Sequence, residues 1–359
     1  MADQNQPSAI WYTRCPVPTT SGLAQHFRWA HQAFEEIGID LESIRASDDR
    51  AVRSSHYDHT HPNMFREGGN VPPIWARGNG RDTVVVGISW IDEEQLILVR
   101  DDSDIATLDD LRGRRLGLPK HASRIVDIGR SQDLRGLLTA LQLGGIARGE
   151  VEFVDLPGED FDLRENRDGD RNLGHLGANA LLAGQADAIY AKGAVGATLV
   201  ARHGFRAIVD INAQSDPLTR VNAGTPRPVT VNGPLAREHP DLVARYLAVL
   251  LRTAAWAASH PEDVVSAVAA ETGADEAAVR RGFGPDLHRR FAIRLDDLAI
   301  NGLRQQHDFL SAEGFTQAFD FDSWIDPRPL ELARALAPTL GVPALASTDA
   351  ARVAEIEPA

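Results

Sequence analysis

Cys15 is the only cysteine in the chain, in the stretch Tyr12-Thr13-Arg14-Cys15-Pro16-Val17-Pro18. The apolar run Ala9-Ile10-Trp11-Tyr12 before it reads as a buried strand that the first proline stops. After it, Thr19-Thr20-Ser21-Gly22 offers N-caps for one amphipathic helix from Leu23 to Ile37. A thiol in such a strand-to-helix turn lies where the helix dipole and nearby cations activate it for nucleophilic or acid chemistry. The plainer alternative is a small buried apolar side chain. A second pattern, His56-x-x-His59-x-His61 with Asp58, invites a metal site. No cysteine accompanies it and it falls in an aperiodic stretch, so neither a metal nor any other cofactor is expected.

The elements that must position these groups alternate between strand and helix patterns. Strands are expected at Asp40–Ile44, Thr83–Ile88, Gln95–Arg100, Val151–Val154, Phe205–Asp210 and Pro228–Val231, with helices at Leu134–Leu143, Leu242–Ala257, Pro261–Glu271, Asp275–Phe283 and Leu298–Glu313. Ala46 to Pro73 is polar and aperiodic and reads as a long functional loop. His121-Ala122-Ser123-Arg124 reads as a helix start able to face an anion, or as a simple cap. Asn179 to Tyr190 reads as helix, turn and strand, Gly158–Gly174 as a solvated loop, and the segment after Pro338 as a poorly ordered tail. This alternation implies an α/β fold with mostly parallel sheets, folded as two lobes around a central cleft. The expected division is residues 1–103 and 213–335 in the lobe that carries Cys15, 104–212 in the other, and 336–359 as a tail.

A net charge of −14 argues against a nucleic-acid backbone as partner. No apolar run is long enough to span a bilayer, and no membrane partner is expected. The segment Met1–Ser8 has neither a basic n-region nor an apolar h-region, which points to a cytoplasmic protein.

Several stretches together carry a family likeness: Tyr12–Pro18, His56 with Arg66, Gly68-Gly69-x-Val71-Pro72-Pro73, Val99-Arg100-Asp101-Asp102-Ser103, Asp109-x-Leu111-x-Gly113-Arg114-Arg115-x-Gly117 and Gly282–Leu287. From about residue 9 to 325 the chain resembles the 2'-hydroxybiphenyl-2-sulfinate desulfinase family. The resemblance implies the periplasmic-binding-protein (type II) fold shared with sulfonate, taurine and nitrate binders. It also implies hydrolysis of an aromatic carbon–sulfur bond with release of sulfite. The family's cysteine, histidine and arginine fall on Cys15, His56 and Arg66, and its double glycine, whose N–H meets the sulfinate, on Gly68 and Gly69. In that setting Cys15 acts as nucleophile at sulfur or as acid at the ring carbon. His56 hydrogen-bonds its sulfur, and Arg66 offers a planar fork for two sulfinate oxygens.

Arg14 and the stretch Tyr190-Ala191-Lys192-Gly193 depart from the family pattern. With Ser123, Arg14, Tyr190 and Lys192 stand as candidate substrate contacts by position. Trp11, Trp75 and Trp90 are candidates for an aromatic wall, or for ordinary core packing. The expected partner is a small aromatic anion. The competing function is a non-catalytic binding protein of a sulfonate, nitrate or taurine importer on the same fold.

Overall fold

The computed structural model describes residues 6–121, 125–158 and 175–344. In chain order it contains β1 (Ala9–Arg14), α1 (Thr20–His26), α2 (Trp29–Glu35), β2 (Asp40–Ser43), α3 (Arg50–Asp58), β3 (Met64–Glu67), α4 (Val71–Gly78), β4 (Thr83–Ser89), β5 (Gln95–Val99), β6 (Arg115–His121), α5 (Ile128–Leu143) and β7 (Glu152–Gly158). Then come α6 (His175–Leu182), β8 (Ile189–Lys192), α7 (Gly193–His203), β9 (Arg206–Asp210), β10 (Arg227–Asn232), α8 (Gly233–Glu238), α9 (Pro240–Ala257), α10 (Pro261–Thr272), α11 (Glu276–Phe283), β11 (Ile293–Arg294), α12 (Asp297–Ala312) and α13 (Arg328–Leu336).

A six-stranded sheet in the order β11-β4-β10-β3-β1-β2 forms one lobe, and a three-stranded sheet β8-β5-β9 with the pair β6-β7 forms the other. The expected mostly parallel arrangement is corrected to a mixed one. β1 runs parallel to β2 and β3, and β6 to β7. β10 inserts antiparallel between β3 and β4, and β5 pairs antiparallel with β8 and β9. Chain segments that pass between the lobes arrive from the far side, so they enter each sheet in reverse.

The large core joins the six-stranded sheet to α9 and α13. Phe65 is fully buried and stacks on Tyr246 with ring centroids 4.0 Å apart. That contact pins the middle of β3 against α9, and through the pleat it fixes where Arg66 points.

Three expectations change. The single helix over Leu23–Ile37 is two, broken where Arg28 turns left-handed at φ 59. Phe27 and Trp29 stack there at 4.7 Å and both meet Trp256, so aromatic packing takes over where the helix stops. The expected loop over Ala46–Pro73 holds a helix, a strand and the start of α4. Asp49 caps α3, accepting from the Ala51 N–H at 2.8 Å. Part of the expected tail is docked: Arg252 donates to the carbonyls of Ala337, Val342 and Pro343. The residues from 345 on, and the expected loop over 159–174, lie outside the described residues.

Candidate active site

Cys15 follows the C-terminal end of β1 and its thiol is free and half-buried. Beside it runs the turn after β3. A methyl group in place of a Gly68 hydrogen would stand 2.4 Å from Cys15 Cβ and 2.9 Å from its sulfur, and 3.6 Å from Arg66 Nη2. Gly68 is also at φ 154, a backbone few other residues adopt. Gly68→Ala is expected to lower turnover about 100-fold by displacing the thiol, and to cost stability as well through the clash and the strained backbone. Steady-state rates beside a thermal melt check it, and a rate within threefold of wild type would refute this packing argument.

Arg66 is buried to 1% exposure. Its Nε donates to the His56 carbonyl at 3.1 Å and Nη1 to the Gly69 carbonyl at 2.8 Å. Nη2 has no hydrogen-bond partner among the described residues. Burial pushes the Arg66 guanidinium down from its ordinary range, and the proximity of Cys15 pulls it back up. Two nitrogens of the fork thus hold the turn in place, and the third is left on the Cys15 side for an anion.

The double-glycine turn is tied to the segment before β10. Asn70 donates its backbone N–H to the Ala223 carbonyl at 2.9 Å, and its amide to Asn222 and Pro226 at 2.8 and 2.9 Å. A methyl at Gly69 would meet the Ala223 carbonyl oxygen at 2.9 Å. Glu67, fully buried, accepts from the Thr20 and Ser21 N–H groups at 3.2 and 2.6 Å and from Ser89 Oγ at 2.6 Å. The N-terminus of α1, a natural place for an anion, is therefore filled from within, and an incoming anion is left to the Arg66 side.

His56 sits on α3 and is 2% exposed. The expected contact between its ring and the cysteine sulfur is not formed: among the described residues Cys15 makes no side-chain hydrogen bond, and His56 Nδ1 pairs with Thr13 Oγ1 at 2.8 Å. His56 instead holds Arg66, its backbone carbonyl accepting from Arg66 Nε. The three histidines of the possible metal motif diverge: His59 Nε2 lies 3.4 Å from Thr230 Oγ1, and His61 sits edge-on to Trp11. Among the described residues no His, Cys, Asp or Glu cluster has metal-binding geometry.

Burial, then the Arg66 and Arg45 charges, hold His56 well below its ordinary value, and burial with Arg66 lowers His59 to about 3. Both rings are neutral in the folded chain, whereas the unfolded chain protonates them near pH 6.5. Unfolding therefore takes up protons below that pH. The contribution to stability is complete above pH 6.5 and falls as the pH drops, by about 1.4 kcal/mol per unit for each ring. The urea midpoint is expected to fall between pH 6.5 and 5, and His59→Asn to remove about one proton of that slope. An unchanged slope would show that His59 is not buried as described.

The other expected contacts go elsewhere. Arg14, next to the thiol, turns to α10 and pairs with Glu271, which also meets Arg45. Lys192 is bound to Glu93 at 2.7 Å. Tyr190 is buried in the core of the smaller lobe, its hydroxyl donating to Gln95 Oε1 at 2.9 Å and its ring filling the space that Gly136 leaves. Ser123 lies outside the described residues. Helix α5 begins after Asp127, which caps it by accepting from the Arg130 N–H and binds the His121 ring at 2.8 Å; residues 122–124 of the expected helix start lie outside the described residues. Trp11 meets His61, Trp75 packs on the α4–α12 core, and Trp90 lies under Arg294, so they form no common wall. Thr13, Glu67 and Asn70 were not expected. Thr13 could have been found as a polar residue inside an otherwise apolar strand, whereas the other two carry no local signal.

No protein-family model matches the chain. It is 30% identical over 354 residues to the 2'-hydroxybiphenyl-2-sulfinate desulfinase of Rhodococcus erythropolis, across 89% of this chain and 91% of that protein. The desulfinase of the same name from Rhodococcus qingshengii matches equally. A cysteine-to-serine mutant of DSZB in complex with biphenyl-2-sulfinic acid superposes with a TM-score of 0.73 at 27% identity, over 90% of this chain and 98% of that one. The periplasmic aliphatic sulphonate-binding protein SsuA of Escherichia coli superposes with a TM-score of 0.65 at 18% identity, over 89% and 98%, a likeness of fold alone. The fold is thus α/β, of the two-lobed periplasmic-binding-protein type.

Proposed function

The chain belongs to the 2'-hydroxybiphenyl-2-sulfinate desulfinase family, and from that premise we propose that it hydrolyses an aromatic sulfinate and releases sulfite. The carrying observation is the buried Arg66 guanidinium, with one nitrogen unpaired, beside the only cysteine. The reaction balances with water alone. The carbon–sulfur bond of Ar–SO2− breaks, water supplies the proton to the ring carbon and the hydroxide to sulfur, and the products are ArH and HSO3−. No external oxidant or reductant is needed.

In this proposal Arg66 fixes the sulfinate oxygens and the Gly69 N–H adds a donor. His56, held neutral, positions Arg66 through its carbonyl. The Cys15 sulfur is the reacting atom, by attack on the sulfinate sulfur or by proton delivery to the ring carbon. On the first route the thiol sulfur displaces the ring, which leaves as ArH with the thiol proton, and water then cleaves the Cys15 S–SO2− adduct to thiol and HSO3−; trapping that adduct would identify it. The lobes are proposed to divide as residues 1–103 with 213–335 against 104–212, and 336–359 as a tail, except that β5, at the end of the first segment, already belongs to the sheet of the second lobe with β8 and β9. A cytoplasmic site of action belongs to the same proposal, because that compartment keeps a lone reactive thiol reduced.

The test is sulfite release from 2'-hydroxybiphenyl-2-sulfinate, followed with a sulfite-specific colorimetric reagent. Release at enzymatic rates is expected. Sulfinate bound and recovered unchanged would replace this reading with that of a binding protein.

A further inference from the structure

Arg227, the first residue of β10, is a second buried cation, in the strand next to β3. It is fully buried and pairs in register with Ser89 of β4. Its Nη1 donates to the Ile91 carbonyl at 2.9 Å, and Nη2 stands 3.7 Å from Glu93 Oε1, beyond hydrogen-bond length. Among the described residues neither Nε nor Nη2 has a hydrogen-bond partner. A guanidinium withdrawn from water with two of its three nitrogens lacking a hydrogen bond is costly even with a carboxylate 3.7 Å away, and folded chains seldom keep one without a use.

The nearby carboxylates are already engaged: Glu93 binds Lys192, and Glu67 holds the start of α1 and Ser89. Burial pushes the Arg227 guanidinium down, while Glu93 and then Cys15 pull it back up, as Cys15 does for Arg66. The strand register places Arg227 beside the double-glycine turn: Val229, two residues on, pairs with Glu67 of β3, and the Pro226 carbonyl accepts from the Asn70 amide at 2.9 Å, so Arg66 and Arg227 approach that turn from adjacent strands. During the proposed reaction the departing group goes from two oxygens to three. The fork of Arg66 serves two, and the unpaired donors of Arg227 suit the third.

Resting on the desulfinase reading, we infer that Arg227 is a second anion anchor of the Cys15 site, holding a sulfinate oxygen and then the released sulfite. The test compares Arg227→Gln and Arg227→Lys with Arg227 intact, all in the full chain carrying Cys15→Ser so that no ligand is consumed. Each is titrated calorimetrically with 2'-hydroxybiphenyl-2-sulfinate, with sulfite and with neutral 2-hydroxybiphenyl. Arg227→Gln is expected to weaken both anions about 10-fold or more, sulfite most, and to leave the neutral ligand within twofold. Anion affinities that do not change, or an equal loss for all three ligands, would overturn the assignment, the second by showing a purely structural role. Should Arg227→Gln fail to fold by circular dichroism, Arg227→Lys decides, since it keeps the charge but loses the fork and is expected to show the same selective loss. Anion binding by a wild type that releases no sulfite would sink the desulfinase reading and leave the anchor standing.

Discussion

Cys15→Ser is expected to abolish sulfite release, by at least about 1,000-fold, while 2'-hydroxybiphenyl-2-sulfinate still binds. Serine is close in size to cysteine, so the tight fit against Gly68 survives, as does the Arg66 fork that would hold the anion. The hydroxyl, however, is a far weaker nucleophile and acid than the thiol and needs an adjacent base to act. Among the described residues none hydrogen-bonds the Cys15 side chain, and His56 is turned to Thr13. A sulfite assay and calorimetry on the same preparation check both halves. Retained turnover, or loss of binding together with turnover, would each remove Cys15 from the reacting position.

Arg66→Lys should be nearly as damaging. The lysine ammonium keeps a charge but cannot reach the His56 carbonyl, the Gly69 carbonyl and an anion at once, as the planar fork does. Turnover efficiency kcat/KM is expected to fall about 100-fold. Arg66→Met should fall further and also leave both buried carbonyls without donors, at roughly 1–3 kcal/mol each. Kinetics paired with urea midpoints separate the two losses. An Arg66→Lys enzyme within threefold of wild type in kcat/KM would remove Arg66 as the sulfinate anchor.

Hydrophobic periodicity succeeded wherever an element buries an apolar face. β4, β5, α9 and α12 lie within a residue or two of where the pattern sets them. It failed on α3 and β3, the two elements that carry His56 and Arg66. The buried side of α3 is Arg53, Ser55 and His56, and β3 is buried on both faces with Arg66 and Glu67 inside it. Polar groups that are paid for by specific partners leave no periodic signature, and functional sites collect such groups.

The sequence by itself determined the α/β class, the two-lobed family fold and the cysteine turn, because strand–helix alternation and a proline-bounded motif are local properties of the chain. Only the tertiary structure decided which polar groups meet. It turned His56 onto Thr13, gave Lys192 to Glu93 and Arg14 to Glu271, and filled the α1 N-terminus with Glu67. It also buried Arg227, with donors that lack hydrogen bonds among the described residues, in the strand beside β3. A charged side chain inside a protein goes to whichever opposite charge or dipole the packing brings within reach, and that partner can stand more than 250 residues away, as Glu271 does from Arg14.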